Sequence, residues 1–142
     1  MMNRRLVVAR LGAVLYVLWG LVHLQAASKV YHMALGLPPG MVQGRLLQEA
    51  FYLLFFATAG ILIGGRLTWK NDARGYWMNL VLISIGDIPF ISFVLLPGYI
   101  PLWPGALGPS LWCAALICTT IARVGDVSPA RAELPAEGTE VR

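Results

Sequence analysis

Asp87 is the residue with the clearest chemical potential in this chain. It stands inside ISIGDIPFISFVLLPG, residues 83–98, a stretch otherwise apolar enough to dissolve in lipid. An aspartate at the centre of a membrane helix costs about 2.5–3.5 kcal/mol on insertion scales, so such a residue marks a pathway or a site by default. Burial favours the neutral acid, which can donate a proton to a lipophilic substrate or take one back. His23 is the complementary group, because imidazole changes charge near neutral pH. Glu49 is the other acidic residue in an apolar run. These three are the candidate proton-transfer residues. Tyr16, Gln48, Tyr52, Ser84 and Trp103 are the candidate ligand contacts around them.

The bland alternatives are specific. Glu49 follows Arg45 by four residues, the spacing of an ion pair on one helix face. His23 could satisfy itself with Tyr16 or Gln48, and a protonated Asp87 could simply bond a neighbouring helix. A metal reading would draw on His23, Glu49, Asp87 and His32, but no two of them share a close ligand spacing. No metal site and no cofactor is expected.

The elements that must position these residues are four apolar runs, at 6–27, 46–64, 76–96 and 107–124. Each approaches the ~20 residues a helix needs to cross the hydrocarbon layer. None alternates strictly as a barrel strand would, and lipid leaves no water for unpaired backbone groups. Of the 142 residues 58% are hydrophobic and 13% charged, half the charge of an ordinary soluble domain. The fold class expected is an all-α integral membrane protein, a four-transmembrane-helix bundle. Residues 1–124 form the membrane domain, and 125–142, rich in Pro, Ala and Glu, read as a short disordered C-terminal tail.

Arg4, Arg5 and Arg10 lie at the start, Arg66, Lys70 and Arg74 in the second loop, and Arg123 and Arg131 after the fourth run. The first loop region has only Lys29 and Arg45, and the third has no basic residue. The positive-inside rule therefore predicts both termini in the cytoplasm, in a bacterial inner (plasma) membrane. The first run is too long for a signal peptide's apolar core, so it is expected to stay as a span. No basic face with interleaved aromatics is present, which excludes nucleic acid as a partner class.

Depth follows from helix rise. Asp87 lies about 16 Å along its span from Tyr76, near the bilayer centre, while His23 and Glu49 sit about one turn inside the outer boundary. Gly12, Tyr16, Gly20 and His23 share a face whose small residues let a neighbour approach, so His23 should point inward. Pro89 should kink the third span near Asp87. Cys113 and Cys118, rotated by about 140° from each other, cannot pair and read as buried, inert thiols. The uncharged outer loops carry Tyr99 and Trp103, types that suit a lipid-contacting cap.

Three functions are consistent with these residues. The first is a polar intramembrane site, open toward the outer face, that binds or converts a lipophilic small molecule by proton transfer. The second is proton-coupled export by a homodimer, for which Ala57, Gly60 and Gly64 offer a small-residue face; the same stripe could pack helices within one chain. The third is a structural or accessory subunit without catalytic activity. The bilayer is the one partner common to all three.

Overall fold

The computed structural model describes residues 4–124, and within them the chain is helical throughout, with no strand. Helix α1 spans Arg4–Leu35 and α2 spans Met41–Arg66. A 3-10 turn, Thr68–Lys70, leads to α3 at Ala73–Phe90, which runs on as a π-helix over Ile91–Leu95. A short α4, Leu102–Gly105, precedes α5 at Leu107–Val124. Four helices, Arg4–Leu35, Met41–Lys70, Ala73–Leu95 and Leu107–Val124, are long and apolar enough to cross a membrane. The stretch expected to be a disordered tail lies outside the described residues.

α1 and α2 extend past the apolar runs that announce them. Nothing in Ser28-Lys29-Val30-Tyr31-His32 breaks a helix, so α1 continues until Gly36 and the Pro38-Pro39 pair, where the backbone ladder loses its donors. Pro89 does not end α3 either. The ladder resumes at Ile91, whose N–H reaches the carbonyl oxygens of Asp87 and Ile88. Where a kink is expected, the helix passes into a wider turn two residues later, since a π segment absorbs the missing N–H without splitting the helix.

α1 is the central element, packed against both α2 and α5. Its contact with α2 is set by small residues. A side chain at Gly60 would meet the Trp19 ring at 3.1 Å, and one at Gly64 would meet the Tyr16 Cβ at 3.2 Å. Ala57, Gly60 and Gly64 are therefore consumed inside the chain. The inner cluster comprises Tyr16, Trp19, Ile83 and Ala115, backed by Phe56 and Trp112. The outer surface inverts the pattern of a soluble protein: Val7, Leu11, Val14, Leu18 and Leu21 recur along one exposed face of α1. An apolar stripe of this kind suits contact with lipid. Cys118 is half-buried, but Cys113 is exposed on α5, because its helical phase points away from α1; only the expectation of burial fails for it.

The end of the bundle that carries Arg10, Arg66, Lys70 and Arg123 is closed by polar contacts. Arg123 Nη1 donates to the Asn71 carbonyl at 3.0 Å, and Arg10 lies over the Trp69 ring at 5.3 Å. Asn71 takes a left-handed conformation (φ 56°) that ends the 3-10 turn. Asp72 then caps α3, accepting from the Arg74 backbone N–H at 2.8 Å and from its guanidinium at 2.9 Å. Those bonds hold the Asp72 carboxyl below its ordinary value of 3.8. A depressed folded value means that the cap stabilises above the unfolded value and is lost as pH falls through the folded one. The stability difference between the wild type and Asp72→Ala should therefore shrink in acid below the ordinary value and shrink with added salt, as read from unfolding in lipid discs at stepped pH.

Candidate functional site

Asp87 is 1% exposed, and its carboxylate is held by two residues of α1. The Trp19 indole Nε1–H donates to Oδ2 at 2.9 Å, and His23 Nε2 stands 3.5 Å from Oδ1. Trp19 and His23 are four apart on one helix, so both reach the same carboxyl group one turn from each other. Their rings stack at 3.9 Å between centroids with 27° between planes. The indole thus serves both partners, its edge donating to the carboxylate and its face covering the imidazole, where a cation gains about 0.5–2 kcal/mol.

The other imidazole nitrogen settles the tautomer. His23 Nδ1 is 2.8 Å from the Trp19 carbonyl oxygen. A carbonyl can only accept, so Nδ1 carries a proton and donates it. Nε2 is then left with a lone pair facing Asp87 or with a second proton. Two arrangements satisfy the pair: a neutral acid facing a neutral imidazole, or a carboxylate facing an imidazolium. Each places a single transferable proton between Oδ1 and Nε2, and each leaves the pair without net charge. Neutrality matters at this depth, where an unpaired charge is expensive. At 3.5 Å the contact is longer than an ordinary hydrogen bond, a common state for proton-transfer partners before a substrate is bound.

α5 limits where the imidazole can go. A Cβ built on Gly108 would lie 2.7 Å from His23 Cε1 and 3.3 Å from Nε2, so the ring rests directly on this glycine. Gly108→Ala is expected to push the imidazole off Asp87 at a modest cost of roughly 1 kcal/mol, because the obstructed group is the end of a side chain. The nitrogen NMR signals of His23 should then lose their carboxylate-paired character while the fold persists. Unaltered signals would show that the ring does not depend on this contact.

The remaining sequence candidates do not join this centre. Glu49 is exposed and makes no ion pair with Arg45, whose Nη1 instead donates to Gln48 Oε1 at 3.0 Å. Gln48 Nε2 in turn donates to the Tyr52 hydroxyl at 2.6 Å. The three polar residues form an exposed ladder on the outer turns of α2, and His23 bonds neither Gln48 nor Tyr16. Height along the bundle explains this better than helical phase. α5 begins at the level of His23, whereas Glu49 lies farther out, where α2 runs beside the last turns of α1. Ser84 is half-buried and donates back to the Leu80 carbonyl of its own helix. Trp103 is 73% exposed in the short α4 that precedes α5. Tyr16 is fully buried, one turn from Trp19 toward the basic end. Among the described residues no three His, Cys, Asp or Glu side chains come together as metal ligands.

Trp19 is the residue that sequence reasoning missed. A signal existed, since a tryptophan deep in a span, away from both interfaces, must find a partner for its N–H. Farther from the basic end, from Leu24 on, a cleft of about 550 Å3 opens between α1 and α2, lined by Leu24, Ala27, Tyr31, Leu47, Phe51 and Leu54 but not by His23. Its size suits a small molecule and its walls are chiefly apolar. No protein-family model, curated protein or solved structure matches the chain.

Proposed function

We propose that this chain is a membrane protein that binds a lipophilic small molecule in the outer half of the bilayer and exchanges a proton with it at the Asp87–His23 pair. The observation that carries this reading is the bond from His23 Nδ1 to the Trp19 carbonyl, which leaves Nε2 and Oδ1 to share one proton. The cleft between α1 and α2 begins one residue beyond His23 and gives an apolar body a place to lie. A protonatable head would have to extend past Leu24, out of the cleft, to meet the imidazole, whose side chain is 14% exposed while the carboxylate behind it is sealed. His23 is then the group that touches the ligand, and Asp87 is the partner that shares its proton. The distribution of basic residues favours an orientation with the basic end and both termini in the cytoplasm.

The test compares wild-type protein with Asp87→Asn in native lipid discs, identifying co-purifying molecules by mass spectrometry. A specific lipophilic compound carried by the wild type and lost from the folded variant supports the reading. Equal stability and identical bulk lipid in both would sink it.

A second reading draws support from the complete burial of Asp87 by its own chain: an accessory subunit in which the pair only packs helices. It predicts that Asp87→Asn retains every function of the wild type. The dimeric exporter loses its nominated interface, because Ala57, Gly60 and Gly64 are already covered by α1.

A further inference from the structure

Between Asp87 and the basic end, the bundle holds a second group of buried polar side chains. The buried face of α3 runs Gly75, Asn79, Ile83, Asp87, one residue per turn. Asn79 is fully buried; its Nδ2 donates to Thr68 Oγ1 at 3.2 Å, but its Oδ1 has no partner among the described residues. On α1 the Tyr16 hydroxyl is buried beside Thr119 and Tyr76. The Thr119 hydroxyl is already spent on the carbonyl oxygens of Ala115 (2.9 Å) and Leu116 (3.1 Å), and the Tyr76 hydroxyl is shared with Thr120 at 3.2 Å. The Thr119 oxygen beside Tyr16 can still accept, but no hydrogen bond of ordinary geometry joins Tyr16 Oη to a described residue.

A buried amide oxygen left without a donor carries its full desolvation penalty, and so does a buried phenol. These two atoms are complementary to one kind of guest. Asn79 Oδ1 accepts, Tyr16 Oη both donates and accepts, and water does the same. Internal water occupies polar sites of this type when it finds two to four partners. The positions also solve a spacing problem. Ile83 is fully buried and interrupts the polar face of α3 between Asn79 and Asp87. Tyr16 stands three residues, about 4.5 Å of helix rise, below Trp19, and so offers a polar step on α1 beside that apolar one.

We propose that the inner half of the bundle binds internal water between Tyr16 Oη and Asn79 Oδ1, and that this water lets the Asp87–His23 pair exchange its proton with the aqueous phase at the basic end. The inference rests on the reading of the pair as a proton-transfer site and adds the side from which the proton comes. On release, the proton shared by Oδ1 and Nε2 passes to water, leaving a carboxylate beside a neutral imidazole; uptake is the reverse. The carboxylate so formed keeps the Trp19 N–H bond. The titratable group facing Asp87 is His23 of α1, and Tyr16 lies one turn away beyond Trp19. α5 presents Gly108 to the imidazole and α2 presents Gly60 to the Trp19 ring, neither of which titrates.

The experiment uses full-length protein in phosphatidylcholine vesicles, sorted to one orientation by a terminal affinity tag. The pH is stepped on one face while the infrared carboxyl band is followed, assigned to Asp87 by its absence in Asp87→Asn. The expected result is a fast response to a step at the basic face, slowed roughly tenfold in Tyr16→Phe and in Asn79→Leu, the effect of removing one polar link. The equilibrium titration of the band should be unchanged in both. Asn79→Leu also breaks the bond to Thr68, so Tyr16→Phe, which changes no packing volume, decides the matter if the other variant does not fold. A titrating band whose rate ignores both substitutions, or that answers only to the opposite face, would overturn the water path alone. A wild type in which neither this band nor the His23 imidazole band titrates would overturn the proton-pair reading and the path with it; where the pair rests as carboxylate and imidazolium, the imidazole band reports the same rates.

Discussion

Asp87→Ala is expected to destabilise the bundle by about 2–4 kcal/mol, whereas Asp87→Asn should fold nearly as well as the wild type and lose the transferable proton. Alanine strands two buried groups at once. The Trp19 Nε1–H loses its acceptor at 2.9 Å, and His23 Nε2 loses the group 3.5 Å away, with a void between them. Asparagine fills the same space, accepts from the indole through its oxygen, and can donate from its amide to the Nε2 lone pair. The pair then has hydrogen bonds but no acid. Reversible unfolding in bicelles measures the first effect, and the loss of the pair's titration measures the second. Equal stability for the two variants would mean that the carboxyl oxygens carry no structural bond, contrary to the geometry of the site.

Gly20→Ala should cost about 1–3 kcal/mol and disturb the site from a neighbouring position. A Cβ at Gly20 would run into Ile61 Cγ1 and stand 2.9 Å from the Ala57 carbonyl oxygen. Ile61 can rotate away. The Ala57 oxygen is backbone, so the helices themselves must part. Separation at this level pulls Trp19 from Gly60 and lengthens its bond to Asp87, so the pair's titration should move together with stability. Gly65→Ala is the control, since nothing lies within 4 Å of its Cβ position. It should be neutral or gain up to about 1 kcal/mol through helix propensity. Similar losses for both variants would show that α1 and α2 do not touch through Gly20.

The placement of Asp87 in an interior helix face was legible in the sequence because the physics is one-sided. A carboxyl group among some twenty apolar residues has no inexpensive place except against other polar protein groups. The same one-sidedness made the four spans readable, although their ends were not. α1 passes through Ser28, Lys29 and His32 because these residues are tolerated in a helix outside lipid, so an apolar run marks where hydrocarbon lies and not where a helix stops. Glu49 misled for a related reason. Eleven residues from Gly60, it shares that residue's helical phase within about 20°, yet it sits above the level at which α5 begins. Phase is written along one chain segment; the height at which a neighbouring helix starts is not.

What the sequence determined by itself, then, is the set of groups that lipid would not tolerate alone and the helices long enough to carry them. Tertiary structure decided which of those groups meet. Only the antiparallel register of α1 against α5 sets Gly108 under the His23 ring, and only the packing of α3 against α2 and α5 brings Asp87 to the Trp19 indole of α1. The physical reason is that hydrophobic cost is a property of each residue, additive along the chain, whereas a hydrogen bond needs two atoms about 3 Å apart on helices whose relative rotation and height are fixed jointly by every small and large residue between them.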